Sequence, residues 1–210
     1  MINKYKYVIF TLALLPLLRL LWLAAMDGLG ANPVEFVIRS LGTWTLVMLL
    51  LTLALSPLRK LLGKSWPNHF RRMLGLFTFF YVCLHLLAYA GLDQWFDWQA
   101  ITRDVTKHPF VLVGFSAFAF MIPLALTSTN AMMKRLGRSW KPLHRLVYLI
   151  AVLGVLHYWW LVKKDVTQPI IFSTVLFLLL GFRLMNYLHE SGLLASKSTQ
   201  CASKTSINTI

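Results

Sequence analysis

Two histidines stand in apolar segments long enough to cross a membrane, and they are the residues most suited to chemistry. His85 lies in LGLFTFFYVCLHLLAYA (74–90), and His157 lies near the end of HRLVYLIAVLGVLHYWW (144–160). An imidazole in hydrocarbon needs a partner, and ionisable residues within a membrane are functional candidates by default. Histidine is a common axial ligand of haem iron, so the question is whether these two rings can meet.

The depth of each ring follows from the helical rise of about 1.5 Å per residue. His85 lies about 12 residues, or roughly 18 Å, beyond the start of its segment near residue 73. His157 lies about 14 residues, or roughly 21 Å, beyond residue 143. The loop charges predict that both segments begin on the same side of the membrane. The two imidazoles should therefore reach nearly the same level, as needed to clamp one flat macrocycle between two helices.

Other interpretations of this pair stay open. A single membrane histidine often forms a hydrogen bond between helices and binds no cofactor. A zinc site is disfavoured, because no third or fourth ligand is expected at that depth. The matching depths, and the lack of a carboxylate within any predicted span, favour a ligand role.

His144 lies at the inner edge of the segment that carries His157, about 20 Å below it. It could bind a second haem near the cytoplasmic face with His69 as a partner, or it could be an ordinary interfacial residue. On an ideal helix, His144 and His157 would point about 140° apart. His69, His108 and His189 lie at or beyond predicted helix ends, where solvated histidines are common.

Composition predicts that lipid surrounds most of the chain. Of its 210 residues, 58% are hydrophobic and 13% are charged, whereas soluble domains carry about 25% charged residues. A bilayer core needs about 20 residues of helix, and six segments qualify: 8–25, 40–55, 73–90, 110–126, 143–162 and 170–188. We expect an all-α bundle of six transmembrane helices over residues 1–190, followed by a polar, disordered tail over 191–210.

Loop charges predict the orientation, since Lys and Arg accumulate in cytoplasmic loops. The loops at 56–72 and 127–142 hold many such residues and no acid: Arg59, Lys60, Lys64, Arg71, Arg72, Lys134, Arg135, Arg138 and Lys141. The alternate segments 26–39 and 91–109 each carry a net charge of −1, while the short segment with Lys163 and Lys164 is an exception. Both termini are therefore predicted to be cytoplasmic, and the net charge of +14 reflects topology and not nucleic-acid binding.

Three arginines lie within predicted spans. Arg145 and Arg183 are close enough to the inner face to extend their guanidinium groups to it. Arg19 lies deeper in the first span, where it could pair with a haem propionate or a quinone oxygen, or reach the outer surface instead.

Several segments resemble one protein family. They are GLGANPVEF (28–36), RRMLGLFTFFYVCLHLLAYA (71–90), TSTNAMMKRLGRSWKPLHRLVYL (127–149) and HYWW (157–160). They are similar to the MsrQ family, the haem-binding membrane subunits of bacterial periplasmic methionine-sulfoxide reductase systems. That family lies within the ferric-reductase-like transmembrane superfamily.

The resemblance implies one or two b-type haems held by histidines, here His85, His144 and His157, and an FMN. It implies the quinone pool or a cytosolic flavin reductase as electron donor. The acceptor would be a periplasmic, molybdopterin-containing catalytic subunit that reduces methionine sulfoxide in oxidised proteins. The chain would then be a multi-pass electron-transfer subunit of the inner membrane. His69 is not part of the family pattern, which leaves the partner of His144 open.

Two other functions stay open. A ferric-reductase-type or quinone-linked cytochrome b with another acceptor would use the same histidines. A membrane scaffold or transporter would need no cofactor, although the broken helices of transporters are not evident. The segment after the sixth predicted span has no GxGxxG fingerprint, so we expect electrons to come from another protein. Segments 27–39 and 91–109 are the predicted docking surface for a periplasmic partner.

Overall fold

The computed structural model describes residues 2–63, 66–162 and 165–207, and these parts are helical with no strand among them. Lys64, Lys163 and Lys164, used above to predict orientation, lie outside the described residues. The helices are α1 (Ile2–Ala25), α2 (Pro33–Leu62), α3 (Pro67–Ala88), α4 (Trp98–Lys107), α5 (Pro109–Leu126), α6 (Asn130–Leu136), α7 (Trp140–His144), α8 (Leu146–Leu161) and α9 (Thr167–Ile207). A π-helical turn (Tyr89–Asp93) extends α3, and a 3₁₀ turn (Gly137–Ser139) joins α6 to α7.

Within the described ranges, five helices are long and apolar enough to cross a membrane: α1, α2, α3 with its π-helical turn, α5 and α9. The segments Asn130–His144 and Leu146–Leu161 make a sixth span if they are counted together, with a bend of 41° between them. The predicted all-α membrane bundle is confirmed. The cytoplasmic location of the termini and the division of the chain at residue 190 stay predictions.

The structure differs from the sequence prediction in three elements. The second span was expected to end at residue 55, but α2 continues through Pro57 to Leu62. The connection 91–109 contains a helix of its own, α4, whose first turn is capped by the Asp97 carboxylate. The predicted fifth span is broken at Arg145. There the N–H of Arg145 bonds to the carbonyl of Pro142, and the N–H of Tyr148 bonds to the carbonyl of Arg145. Each bond reaches back three residues, whereas α-helical bonds reach back four. The 140° estimate for His144 and His157 assumed one straight helix and does not apply.

Helix α2 positions much of the candidate site, and local residue types explain where it begins and where it ends. The Asn32 side chain accepts a hydrogen bond from the Glu35 amide at 3.3 Å, and Pro33 occupies the first turn. These are favoured features of a helix start. The helix ends at Gly63, whose φ of 65° is the left-handed conformation that glycine adopts without strain.

The most extensive helix packing joins α2 to α3 and α5 to α8. One buried cluster lies among α1, α2 and α3, and a second is shared by α2, α5, α8 and α9. The hydroxyl of the fully buried Tyr81 donates to the Ala13 carbonyl of α1 at 2.7 Å, and Thr52 and Thr78 donate to carbonyls four residues earlier. These three buried hydroxyl groups are thus paired, as an apolar surrounding requires.

An arginine of α9 compensates for the proline inside α2. Pro57 has no N–H, so the carbonyl of Leu53, four residues earlier, has no helical donor. Arg183 donates to that carbonyl from Nη2 at 2.5 Å, and its guanidinium lies 4.8 Å from the ring centre of Tyr148. Arg183 was expected to reach the inner face, and the structure shows that its guanidinium group contacts α2 and α8.

Candidate functional site

His85 lies on α3 with its ring against α2. Its Nδ1 is 2.9 Å from the carbonyl oxygen of Ile38, a distance at which the ring N–H donates to the carbonyl. This bond fixes the tautomer, because a proton on Nδ1 leaves the lone pair of Nε2 free. Nε2 has no hydrogen-bond partner in the part of the chain that the structure describes.

His157 lies on α8 and repeats this arrangement against α5. Its Nδ1 is 2.7 Å from the carbonyl oxygen of Phe110, so the same tautomer is favoured. Histidines that bind metals typically donate their second ring N–H in this way, which orients the ring and increases the basicity of the ligating nitrogen.

The structure places these two rings side by side. Their centroids are 6.4 Å apart, and their planes are inclined by 82°. A metal ion midway between them would lie about 3.2 Å from each ring centre. A bond of about 2 Å from metal to nitrogen, with roughly 1.2 Å more to the ring centre, requires the same distance. The spacing fits one ion bound by two imidazoles.

Both imidazoles line a cavity of about 450 Å³ between α2, α3, α5 and α8. This volume is within the usual range of ligand pockets, roughly 300–1,000 Å³. One end, here called the mouth, is polar and is lined by Asn32, Glu35, Arg39, Tyr89, Asp93 and Asp104. The opposite end, here called the deep end, is apolar and is lined by Leu46, Met121, Ile150 and Gly154.

Two polar groupings lie at the mouth. Arg39 forms an ion pair with Glu35 at 2.6 Å, with about half of each side chain exposed. Asp104 of α4 accepts from the Tyr89 hydroxyl at 2.6 Å and contacts His108 Nδ1 at 2.5 Å. Arg39 is therefore the arginine that lines the cavity, whereas Arg19, singled out from the sequence, is exposed on α1 and is not part of its lining.

His144 lies away from this cavity, at the end of α7. Its ring stacks on Trp140 with centroids 4.0 Å apart, and its Nδ1 is 3.2 Å from the Trp140 carbonyl. Its Nε2 is buried and has no hydrogen-bond partner among the described residues. No other described histidine packs against it, and His69 is exposed with Nδ1 near the Trp66 carbonyl. His144 thus has a free nitrogen but no second imidazole.

The other histidines are placed as solvated residues. His108 and His189 are both exposed, and His108 pairs with Asp104. Among the described residues, no three His, Cys, Asp or Glu side chains are grouped to bind a metal ion. The cavity therefore contains two imidazoles and, within the part of the chain that the structure describes, no third side chain of these types placed to bind the same metal ion.

Sequence reasoning missed the groups that hold the two rings. Main-chain carbonyls at Ile38 and Phe110 carry no signal in residue type, because every residue has one. Gly42 and Gly114 follow these two residues by one helical turn, and each lies against one of the imidazoles. The importance of these glycines becomes visible only when it is known that α2 packs on α3 and α5 packs on α8.

Comparisons with known proteins show the family of this chain. Residues 41–155 match the ferric reductase like transmembrane component family. A Herminiimonas arsenicoxydans protein named protein-methionine-sulfoxide reductase heme-binding subunit MsrQ is 54% identical over 181 residues, which are 85% of this chain and 83% of the relative. The chain belongs to the MsrQ family.

Other MsrQ family members give the same result. The Bordetella pertussis protein of that name is 49% identical over 193 residues, 91% of this chain and 94% of its own. The Rhodospirillum rubrum protein is 51% identical over 184 residues, 86% of this chain and 87% of its own. No solved structure matched the chain.

Proposed function

We propose that this chain is the haem-binding electron-transfer subunit of a bacterial methionine-sulfoxide reductase system in the inner membrane. The observation that carries the proposal is the pair of imidazoles, His85 and His157, set 6.4 Å apart across one cavity with Nδ1 of each bonded to a carbonyl. Its relatives in the MsrQ family are named heme-binding subunits of protein-methionine-sulfoxide reductase.

The residues present fit a haem b. His85 and His157 would bind the haem iron, and the apolar walls would cover the porphyrin. Arg39, half exposed at the mouth, offers a cation to the haem propionates. Bound there, a haem would supply one-electron transfer, with a potential set by its axial ligands and by the polarity around it.

The chain's own residues prepare the site for that chemistry. The carbonyls of Ile38 and Phe110 hold each Nδ1–H, which keeps each Nε2 unprotonated and ready to bind. Leu46, Met121 and Ile150 close the deep end and exclude water from it. Because these contacts are preformed, little rearrangement should accompany a change of redox state.

His144 is proposed as a ligand of a second haem. Its buried and unpaired Nε2 supports this role. This haem would lie nearer the predicted cytoplasmic side than the cavity of His85 and His157. FMN is proposed on the family resemblance alone.

Donor and acceptor follow from the predicted topology. Quinol or a cytosolic flavin reductase would deliver electrons from the cytoplasmic side. A periplasmic, molybdopterin-containing catalytic subunit would receive them near the mouth, beside segments 27–39 and 91–109. The chain is then an electron-transfer subunit, and reduction of methionine sulfoxide takes place in its partner.

Histidine variants test the cofactor assignment. In purified protein, His85→Ala and His157→Ala should each remove most of the Soret, α and β absorbance of the haem in the cavity. His144→Ala should remove a second haem or leave the spectrum unchanged. His189→Ala, at an exposed position on α9, is the control. Full haem loading in both of the first two variants would disprove the proposed ligand pair.

A stopped-flow experiment tests the acceptor. Dithionite-reduced protein is mixed with the periplasmic sulfoxide reductase subunit, and reoxidation of the haem is followed by its α band. Fast reoxidation by that subunit, and not by ferric citrate, would support the proposal. Reoxidation by ferric citrate alone would favour a ferric-reductase-type cytochrome instead.

A further inference from the structure

The two candidate haem ligands are held by one local arrangement that occurs twice. The carbonyl of Ile38 accepts from His85, and Gly42 lies one turn further along α2. The carbonyl of Phe110 accepts from His157, and Gly114 lies one turn further along α5. In both cases a residue and the glycine four positions later hold an imidazole from the neighbouring helix.

The spacing of four has a physical reason. In an α-helix the carbonyl of residue i is bonded to the N–H of residue i+4, and side chains at these positions lie one above the other. A side chain at i+4 therefore stands beside the carbonyl and obstructs a second donor. Glycine leaves this carbonyl accessible, and an imidazole N–H can reach its remaining lone pair.

The ring contacts show how little room is left. A Cβ at position 42 would lie 3.1 Å from Cε1 and 3.2 Å from Nδ1 of His85. A Cβ at position 114 would lie 3.0 Å from the same two atoms of His157. Either methyl group would displace the ring by a few tenths of an ångström and lengthen its bond to the carbonyl.

We propose that Gly42 and Gly114 are positioning residues, each of which seats one haem-ligating imidazole on the backbone of the neighbouring helix. The inference rests on the proposed function and extends it. Each carbonyl, with the glycine four positions later, sets the plane of one ring, keeps the proton on Nδ1 and directs Nε2 into the cavity. The 82° angle between the rings then follows from how α2 and α5 present their carbonyls.

Close helix packing is the other role that small residues have in membranes. The chain supplies matched controls for it. A Cβ at Gly75 of α3 would meet only a Thr52 methyl group at 3.8 Å, and a Cβ at Gly181 of α9 would meet nothing within 4 Å. Alanine at these positions changes helix propensity by the same amount and touches no imidazole.

The experiment compares Gly42→Ala and Gly114→Ala with Gly75→Ala and Gly181→Ala in purified, haem-loaded protein. The readouts are the low-spin ferric EPR spectrum and the rate of haem transfer to apomyoglobin. Imidazole planes near a right angle give a low-spin signal with an unusually large principal g value. In the first two variants we expect that signal to shift and haem loss to become about 10–100-fold faster, the usual cost of disturbing the groups that orient a metal ligand.

A rescue experiment separates ring seating from helix packing, and it does not depend on how well Gly42→Ala folds. In His85→Gly protein, added imidazole serves as a free ligand that can adjust its position. Gly42→Ala should then have little further effect on haem affinity. The loss of affinity that it causes when His85 is present should largely disappear. Persistence of the full cost would overturn the proposal, as would EPR spectra of Gly42→Ala and Gly114→Ala identical to the controls. Haem retention in both His85→Ala and His157→Ala would instead overturn the proposed function.

Discussion

Arg39 and Glu35 form an ion pair at the mouth of the cavity, beside the proposed haem. Reduction adds an electron to the site, so a nearby cation favours the reduced state and an anion opposes it. We expect Arg39→Gln to lower the midpoint potential and Glu35→Gln to raise it. Each change should correspond to at most about 1 kcal/mol, because both side chains are half exposed.

Spectroelectrochemical titration at low and high salt measures these opposite shifts. Arg19→Gln is the control, because Arg19 is exposed on α1 and does not line the cavity. Shifts of the same sign in the Arg39 and Glu35 variants would contradict the electrostatic explanation, as would a larger shift in the control.

The sequence predicted the residues with distinctive chemistry and missed those that position them. The shared depth of His85 and His157 follows from helical rise alone and needs no tertiary structure. The rotation of each helix about its axis does not follow from hydropathy when lipid surrounds most of the bundle. For that reason Arg39 was overlooked and Arg19 was considered in its place. The carbonyls of Ile38 and Phe110 were missed because a backbone group has no residue type.

At the scale of helices, the six apolar segments were predictable because bilayer thickness sets their length. Irregular backbone was less predictable. The break at Arg145 and the π-helical turn Tyr89–Asp93 depend on packing between elements. The second span was predicted to end at residue 55, shortly before Pro57, which has no N–H. The helix continues through Pro57, and a donor from α9 replaces the missing N–H.

That replacement can be measured with a double-mutant cycle between Arg183 and Pro57. Arg183→Met leaves the buried Leu53 carbonyl without a donor, which should cost about 1–3 kcal/mol in the free energy of unfolding. Pro57→Ala supplies an N–H to the same carbonyl, so Arg183→Met should cost clearly less in that background. Unfolding by denaturant in detergent micelles gives the four values. Equal costs in both backgrounds would show that Arg183 stabilises the bundle in another way, and Arg145→Met at an exposed position is the control.

Helix α4 is tied to α3 by the bond from the Tyr89 hydroxyl to Asp104. Tyr89→Phe removes a hydrogen bond worth about 1 kcal/mol, so amides of α4 should exchange with solvent about fivefold faster. Hydrogen exchange followed by mass spectrometry measures this locally. Tyr158→Phe is a matched variant, since its hydroxyl bonds to Gln168 and its effect should fall at the start of α9. Unchanged exchange of α4 in Tyr89→Phe would show that its other contacts suffice to hold it.

At the scale of the whole molecule, two helix pairs within the bundle each provide one proposed haem ligand. The pair α2–α3 carries His85 and the pair α5–α8 carries His157. Leu46 of α2 packs with Met121 and Ile150 of the other pair at the deep end, whereas the cavity separates the pairs toward the mouth. A ligand bound by both histidines would therefore join the two pairs across the cavity.

Haem should accordingly stabilise the bundle as a whole. Binding to the folded state alone adds about 2.7 kcal/mol at a free ligand concentration 100 times its Kd. We expect haem-loaded protein to unfold at a clearly higher temperature than haem-free protein in the same detergent. The double variant His85→Ala/His157→Ala should show no such increase when haemin is added. An equal increase in the double variant would indicate nonspecific binding of haemin to the detergent–protein particle.

The difference between the two ends of the cavity also bears on how the protein matures in the cell. Leu46 and Ile150 are almost fully buried, so a rigid porphyrin cannot enter past the deep end. We therefore expect a flat ligand to enter from the polar end, the mouth, which the loop charges predict to face the periplasm. A cofactor made in the cytoplasm would then have to cross the bilayer, or enter its outer leaflet, before the two histidines could bind it.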